Sequence, residues 1–314
     1  MAKLIKYFFS LAMIPVLLTT IFISSCSSEL KVVAMPLRKD NSNLYKAINF
    51  INSKTVTITA ELKTQFISGT AWVIKKESNF DYWFVTNAHV VQVDNQHNWP
   101  YNSNIYLSWT DDISAPQKIS LTTNSKIKNS IKQIIQPVDN ETKLDLALIK
   151  LDLSSIQSKI PQSWNTNLTI NDFVNDRNQT NEQQKDFYIA GYPIGKSQNS
   201  VYTYLNYMQF ESINEIFPSS LSKGLLGSGL TAVLNHSKLK TKFTLTGGAS
   251  GSMVLERVGT EFKIAGIYWG YFSDSINSNN NALWKCGFDI FYANNYQYGE
   301  NSYTYNLIPI YYAQ

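Results

Sequence analysis

The fold follows most directly from the stretch YWFVTNAHVV at residues 82–91, an apolar aromatic run that ends on a polar turn and a histidine. Its β-branched and aromatic residues favour an extended strand. Similar short runs, separated by polar or glycine-containing turns, recur at residues 55–60, 71–74, 104–109, 144–151, 186–190, 201–210, 242–246, 252–255 and 263–269. Helical periodicity is weak except at residues 44–51. The pattern therefore predicts an all-β sandwich or barrel.

The composition is that of a folded protein with a sizeable core. Of 314 residues, 44% are apolar and 16% are charged, the reverse of the balance in a disordered chain. The formal charge of +4 is mild and the sequence has no long basic run, so nucleic acid is not an expected partner. The three histidines are scattered and do not form the ligand cluster of a metal site. We therefore expect neither a metal nor another cofactor.

Residues 1–25 have the organisation of a bacterial export signal. Lys3 and Lys6 precede an apolar stretch at residues 7–23, and small residues then lead to Cys26. This ending resembles the lipobox of bacterial lipoproteins, in which the cysteine is acylated and becomes the first mature residue. One alternative is a transmembrane anchor, because a run of this length can span a bilayer. The other is an ordinary signal peptide followed by a chance cysteine. With Cys26 acylated, the lipid would anchor the chain to the outer face of the plasma membrane, at the cell surface.

The mature chain is predicted to consist of a tether and two halves. Residues 26–43 are polar without a clear period and predict a surface tether. Residues 44–160 predict an N-terminal barrel, and residues 161–314 predict a polar linker and a C-terminal barrel. With Cys26 lipidated, Cys286 is the remaining cysteine, so no internal disulfide is expected.

His89 is the histidine best suited to chemistry. His97 and His236 lie in polar stretches that suggest solvated turns, whereas His89 directly follows an apolar strand. An imidazole is neutral or charged near physiological pH and can serve as a base. The alternative is a core histidine with a backbone partner and no chemical role.

Asp145 begins the apolar run LDLALIK at residues 144–150. Burying a carboxylate there is costly unless a partner holds it. A hydrogen bond from an imidazole would offset that cost and would leave the other ring nitrogen free to act as a base. The alternative is an aspartate at a strand edge facing water.

Ser250 lies in the glycine-rich stretch TGGASGS at residues 246–252. Glycines permit a tight turn that can expose the serine side chain. The backbone N–H groups of Gly248 and Ser250 would then stabilise the oxyanion of a tetrahedral intermediate. The alternative is an ordinary glycine-rich hairpin.

Six motifs together resemble those of the chymotrypsin-fold serine proteases. They are SGTAWVI at 68–74, TNAHVV at 86–91, DLALIK at 145–150, AGYPIG at 190–195, GASGS at 248–252 and IAGIYWG at 264–270. The resemblance spans most of the mature chain and implies two six-stranded antiparallel β-barrels with the active site between them. It further implies that Ser250 is the nucleophile, His89 the general base, and Asp145 the residue that orients the imidazole.

More narrowly, the lipobox, the Lys- and Asn-rich composition and the GASGS and GIYWG motifs resemble the mycoplasma lipoprotein serine proteases. That family includes immunoglobulin-cleaving members, which act with a partner lipoprotein that captures the antibody. The resemblance implies a surface protease that cleaves host proteins, immunoglobulin among the candidates.

The primary specificity pocket can be placed only through the resemblance. Thr244 should lie at its base, with Tyr268, Trp269 and Gly270 along one wall. A neutral threonine supplies no counter-charge for lysine or arginine, so trypsin-like specificity is not expected. A small or neutral side chain is the expected preference.

Ala249 stands where zymogen-type members carry a carboxylate before the serine. In those members the carboxylate pairs with a newly cut N-terminus, a pairing that a lipidated N-terminus also excludes. We therefore expect no zymogen cleavage, and the oxyanion turn must be held in another way.

Two alternative functions belong to different classes. A catalytically silent surface lipoprotein could use the protease-like fold for binding or adhesion, although an intact triad argues against it. A general envelope quality-control protease is the second alternative, and the lack of a recognition domain after the predicted barrels argues against it.

Overall fold

The structure is a computed structural model that describes residues 39–63, 65–93, 97–110, 113, 125–139, 142–176, 186–193, 205–210, 215–218, 230–235, 247–276 and 282–306. These residues belong to one compact unit, Val33–Gln314. No helix within the described ranges is both long enough and apolar enough to cross a membrane. The predicted export signal, Cys26 and Thr244 lie outside the described residues.

The described chain begins with helix α1, Asn43–Lys54. The Ser42 side chain caps its N-terminus by accepting a hydrogen bond from a first-turn backbone N–H at 3.1 Å. One face of α1 is apolar and buried, and it consists of Ala47, Ile48 and Ile51. The helical segment predicted at residues 44–51 is therefore confirmed.

The first half of the chain forms a seven-stranded antiparallel sheet. Its strands and a short hairpin are β1 Thr55–Glu61, β2 Phe66–Lys76, β3 Asp81–Thr86, β4 Asn104–Ser108, β5 Ser125–Ile127, β6 Ile131–Ile135, the hairpin β7 Val138–Asp139 and β8 Thr142–Lys143, and β9 Ala147–Asp152. The spatial order in the sheet is β5-β4-β1-β2-β3-β9-β6. Strands β3 and β9 are neighbours with Thr86 opposite Ala147, so the residues that follow β3 and precede β9 lie at the same end of the sheet.

The chain then crosses to a second antiparallel sheet. Three short 3₁₀ segments, Ser154–Lys159, Gln162–Asn165 and Ile170–Asp172, form the described part of the connection. The following strands are β10 Phe187–Gly191, β11 Asn206–Phe210, β12 Glu215–Pro218, β13 Leu230–Asn235, β14 Met253–Val258, β15 Glu261–Ile276 and β16 Ala282–Ile290. Their order is β11-β10-β14-β15-β16-β13-β12. A hairpin of β17 Tyr292–Tyr298 and β18 Asn301–Asn306 follows.

The predicted all-β antiparallel fold is confirmed, with one difference in strand number. Each sheet has seven strands among the described residues, where six were predicted. In the first sheet the three-residue strand β5 lies at an edge and pairs only with β4. In the second sheet the four-residue strand β12 lies at one edge, where it pairs with β13, and β11 lies at the other edge. Such short edge strands carry little periodicity in the sequence.

Buried apolar side chains form three clusters. One belongs to the first sheet and its 3₁₀ connection, and another to the second sheet. The third cluster combines both sheets with α1, and includes Ile48, Trp72, Leu148, Tyr188, Met253 and Phe291. Since this third cluster draws on both halves of the chain, the two sheets share part of their core.

Candidate active site

The pairing of β3 with β9 brings His89 and Asp145 together. His89 lies in the short helix α2, Ala88–Val91, which directly follows β3. Asp145 lies in the bend just before β9. The two residues are 56 positions apart in sequence, yet they meet because both occupy the same end of adjacent strands.

The imidazole of His89 is held by the carboxylate of Asp145. His89 Nδ1 lies 2.8 Å from Asp145 Oδ2 and 3.0 Å from Oδ1, and the His89 backbone N–H donates to Oδ1 at 3.0 Å. The Asp145 side chain is 3% exposed, whereas that of His89 is 41% exposed. An Nδ1–H that donates to the buried carboxylate leaves Nε2 as the basic nitrogen of a partly accessible ring.

Asn87 supports this pair, a role that the sequence did not reveal. Its Nδ2 donates to the backbone oxygen of Asp145 at 2.8 Å. The side chain is fully buried, and its Oδ1 has no partner among the described residues. Asn87 therefore ties the turn before α2 to the bend that carries Asp145.

Opposing effects set the pKa of His89. Burial lowers it, whereas the negative charge and hydrogen bond of Asp145 and the charge of Asp289 raise it. The carboxylates prevail, so the pKa of His89 lies above its ordinary value of about 6.5. Asp289, which no sequence motif indicated, lies on β16 opposite Ile267 of β15.

Ser250 lies in a tight loop before β14, here called the serine loop (residues 247–252). Gly248 and Gly251 have φ values of 94° and 93°, which L-residues with side chains rarely adopt. A Cβ on Gly251 would lie 2.0 Å from the backbone oxygen of Thr70. The serine loop can thus take this shape only with glycine at position 251.

The backbone N–H groups of the serine loop divide into two sets. Gly251 donates to Tyr268 O at 2.8 Å, and Ser252 donates to Ala249 O at 3.1 Å. The N–H groups of Gly248 and Ser250 donate to no other residue in the part of the chain that the structure describes. These two groups are therefore available to an incoming oxygen anion.

The hydroxyl of Ser250 points to a backbone carbonyl. Ser250 Oγ donates to Trp269 O at 3.0 Å, and no hydrogen bond joins it to His89 among the described side chains. Trp269 is at a β-bulge, where the register of β15 on β16 shifts between Tyr268 and Gly270. Bulges of this kind turn a residue out of the ladder, and here the bulged residue supplies the acceptor for Ser250.

The predicted substrate-contacting residues that the structure describes differ in their burial. Trp269 and Gly270 are half-buried, whereas Tyr268 is buried with its ring in the core of the second sheet. The Tyr268 backbone N–H and oxygen both bond to the serine loop. Tyr268 therefore supports the serine loop through its backbone, and its predicted place on a pocket wall stays a prediction. Thr244 lies outside the described residues.

Within the described ranges, no group of three or more His, Cys, Asp or Glu side chains is close enough to hold a metal ion.

Comparison with known proteins gives similarity at the level of solved structures. No protein-family model matches the chain, and no curated protein matches it. The solved structures that resemble it include several proteases, each at low sequence identity.

Three of these structures are proteases that are 10–15% identical to this chain in sequence. The thermostable serine protease AL20 from an extremophilic microorganism is 10% identical, with a TM-score of 0.45 over 76% of this chain and 92% of its own. The Rv3671c protease from M. tuberculosis, in its active form, is 15% identical, with a TM-score of 0.42 over 84% of this chain and 86% of its own. The protease Anisep from Arthrobacter nicotinovorans is 10% identical, with a TM-score of 0.44 over 76% of this chain and 90% of its own.

Proposed function

We propose that this chain is a serine endopeptidase in which Ser250 is the nucleophile, His89 the general base and Asp145 the residue that orients the base. The observation that carries the proposal is the hydrogen bond from His89 Nδ1 to the buried Asp145 carboxylate at 2.8 Å. This bond fixes the tautomer in which Nε2 can accept a proton.

The geometry supports a mechanism with two half-reactions. Ser250 Oγ turns from Trp269 O towards His89, gives its proton to Nε2 and attacks the carbonyl carbon of the peptide bond. The N–H groups of Gly248 and Ser250 stabilise the resulting oxyanion. His89 then returns the proton to the departing amine, and an acyl-enzyme remains. Water attacks the ester in the same way, releases the acid and restores the Ser250 hydroxyl.

Active-site labelling with a fluorophosphonate probe tests this proposal. We expect the purified mature domain to react, and we expect Ser250→Ala and His89→Ala each to abolish labelling. His97→Ala is the matched control, because His97 is an exposed histidine in a different stretch of chain. A folded wild-type domain that does not label with or without added host protein would contradict the proposal.

One observation favours the alternative of a catalytically silent binding lipoprotein. The Ser250 hydroxyl is engaged with Trp269 O and makes no described hydrogen bond to His89. A silent protein would bind host protein without labelling and without releasing fragments. The same probe therefore separates the two functions.

The location and substrate are further parts of the proposal, and the sequence motifs support them. We propose that acyl chains on Cys26 tether the protein to the outer face of the plasma membrane, where it cleaves host proteins. Immunoglobulin is the first candidate substrate, with a partner lipoprotein to capture it. Mass spectrometry of Cys26 in the membrane fraction tests the anchor, with Cys26→Ser as the control. Incubation with immunoglobulin, with and without the partner, tests the substrate.

A further inference from the structure

Thr70 is the residue of the first sheet to which the serine loop is attached. It lies on β2 and is completely buried. Its backbone oxygen accepts a hydrogen bond from Thr86 Oγ1 at 2.7 Å. Thr86 ends β3, three residues before His89, so Thr70 links the serine loop to the strand that leads to the His89–Asp145 pair.

Both remaining polar groups of Thr70 bind the serine loop. Thr70 Oγ1 donates to Gly248 O at 2.9 Å, and the Thr70 N–H donates to Ser250 O at 2.9 Å. Thr70 Oγ1 in turn accepts the N–H of Tyr192 at 2.9 Å, so the hydroxyl can offer its single proton only to Gly248 O. This fixes the direction of the hydroxyl as well as its position.

The two carbonyls that Thr70 binds belong to Gly248 and Ser250, the same two residues whose N–H groups are available to an incoming oxygen anion. Each carbonyl lies in one rigid plane with the N–H of the following residue. The peptide group that carries the Ser250 N–H therefore lies between two peptide groups that Thr70 holds, and the Gly248 N–H lies one residue before the first of them. Gly248 has φ 94°, a region that glycine enters freely, so steric limits on its own backbone do not hold it in one conformation. The residue between Gly248 and Ser250, Ala249, has no side-chain group that could hold them.

We propose that Thr70 is a positioning residue that holds the oxyanion-binding N–H groups of Gly248 and Ser250 in place, through an uncharged anchor from the opposite sheet. This inference rests on the proposed function of the serine loop. It explains how the loop is ordered without a carboxylate at position 249, and therefore without a cut N-terminus.

The test compares Thr70→Val with Thr70→Ser in the mature domain. Valine keeps the shape and removes the hydroxyl, whereas serine keeps the hydroxyl. We expect Thr70→Val to lower the second-order rate of fluorophosphonate labelling by about 10- to 100-fold, less than the loss on removing an oxyanion donor outright. Thr70→Ser should restore most of the rate. The pH midpoint of labelling should be the same in all three proteins, because the contacts of His89 with Asp145 are unchanged.

Hydrogen exchange supplies a readout that does not depend on activity. In Thr70→Val the Tyr192 amide loses its acceptor, and we expect it to exchange about tenfold faster or more. Thr59→Val is the matched control, because Thr59 is a buried threonine of the same sheet whose hydroxyl bonds to Ser68 at 2.8 Å instead. Should the valine variant not fold, the pair Thr70→Ser and Thr70→Ala gives the same comparison.

The outcomes separate this inference from the proposed function. Faster exchange at Tyr192 in Thr70→Val, in a chain whose wild type never labels, would uphold the anchor and reject the protease. Normal exchange and normal labelling in Thr70→Val would overturn the anchor. An equal loss of labelling in Thr59→Val would also overturn it, because the effect would then belong to any buried threonine of the sheet.

Discussion

At the scale of single residues, the charge on His89 determines how the site responds to pH. Two carboxylates, Asp145 and Asp289, act on the imidazole, and they outweigh the effect of burial on its pKa. The raised pKa means that His89 holds its proton to a higher pH than a free histidine does. Because only the neutral imidazole can accept the Ser250 proton, reactivity should appear as the pH rises through this raised pKa.

The rate of fluorophosphonate labelling should therefore rise with pH to a midpoint above about 6.5. Asp289→Asn should shift that midpoint downwards, because it removes a negative charge that raises the pKa of His89. Asp152→Asn is the control, since Asp152 is paired with Lys132 and does not act on His89. An unchanged midpoint in Asp289→Asn would show that the second carboxylate has no influence on the base.

At the scale of elements, the serine loop depends on a close approach between β2 and the second sheet. Gly251 has a positive φ and lies against the backbone oxygen of Thr70. Gly259, in the turn between β14 and β15, also has a positive φ, but a Cβ there would meet no atom within 4 Å. Both glycines have a positive φ, but they differ in the space around them.

Gly251→Ala should abolish labelling, whereas Gly259→Ala should leave it nearly unchanged. At either position alanine lowers the stability by roughly 1 kcal/mol, because a residue with a Cβ is strained at positive φ. Only at position 251 does the methyl group also meet a buried backbone oxygen, which must move together with Thr70. Comparing labelling rates and melting temperatures of the two variants checks this, and equal labelling in both would count against the tight contact.

Local sequence pattern predicts β1 to β4 but misses β6, β13 and β16, and it predicts the contacts between sheets poorly. The aromatic run at residues 82–85 predicted β3, which extends over Asp81–Thr86. The run at residues 144–151 was predicted as one strand, but β9 begins at Ala147 because the preceding residues form the bend that carries Asp145. The order of His89, Asp145 and Ser250 could be found from motifs. The hydrogen bonds of Thr70 to Gly248 and Tyr192 could not, because they join segments more than a hundred residues apart. The bulge at Trp269 could not either, because it depends on the register of β15 on β16.

At the scale of the whole molecule, the third core cluster couples the two sheets. Trp72 lies on β2 of the first sheet, and Phe291 directly follows β16 of the second. Their ring centroids are 6.4 Å apart, and Phe173 lies 6.2 Å from Phe291 on the connection between the sheets. Phe291 is 1% exposed, so its ring is buried in this shared core.

Phe291→Ala should lower the free energy of unfolding by about 3–5 kcal/mol, because it leaves a cavity in the shared core. Urea unfolding followed by tryptophan fluorescence and by far-UV circular dichroism should show one transition that shifts for both signals. Tyr101→Ala, at a side chain 57% exposed, should change the stability by about 0.5 kcal/mol or less. Two separate transitions, with only one displaced, would contradict the coupling of the sheets.

The hydrogen bond from Ser250 Oγ to Trp269 O limits how often the hydroxyl is free when no substrate is bound. A neutral hydrogen bond contributes about 1 kcal/mol net, so it reduces the population of molecules with a free Ser250 hydroxyl by about fivefold. A penalty of this size slows the release of the hydroxyl without preventing it. The resting position of the Ser250 hydroxyl therefore depends on the placement of a single carbonyl oxygen, that of Trp269.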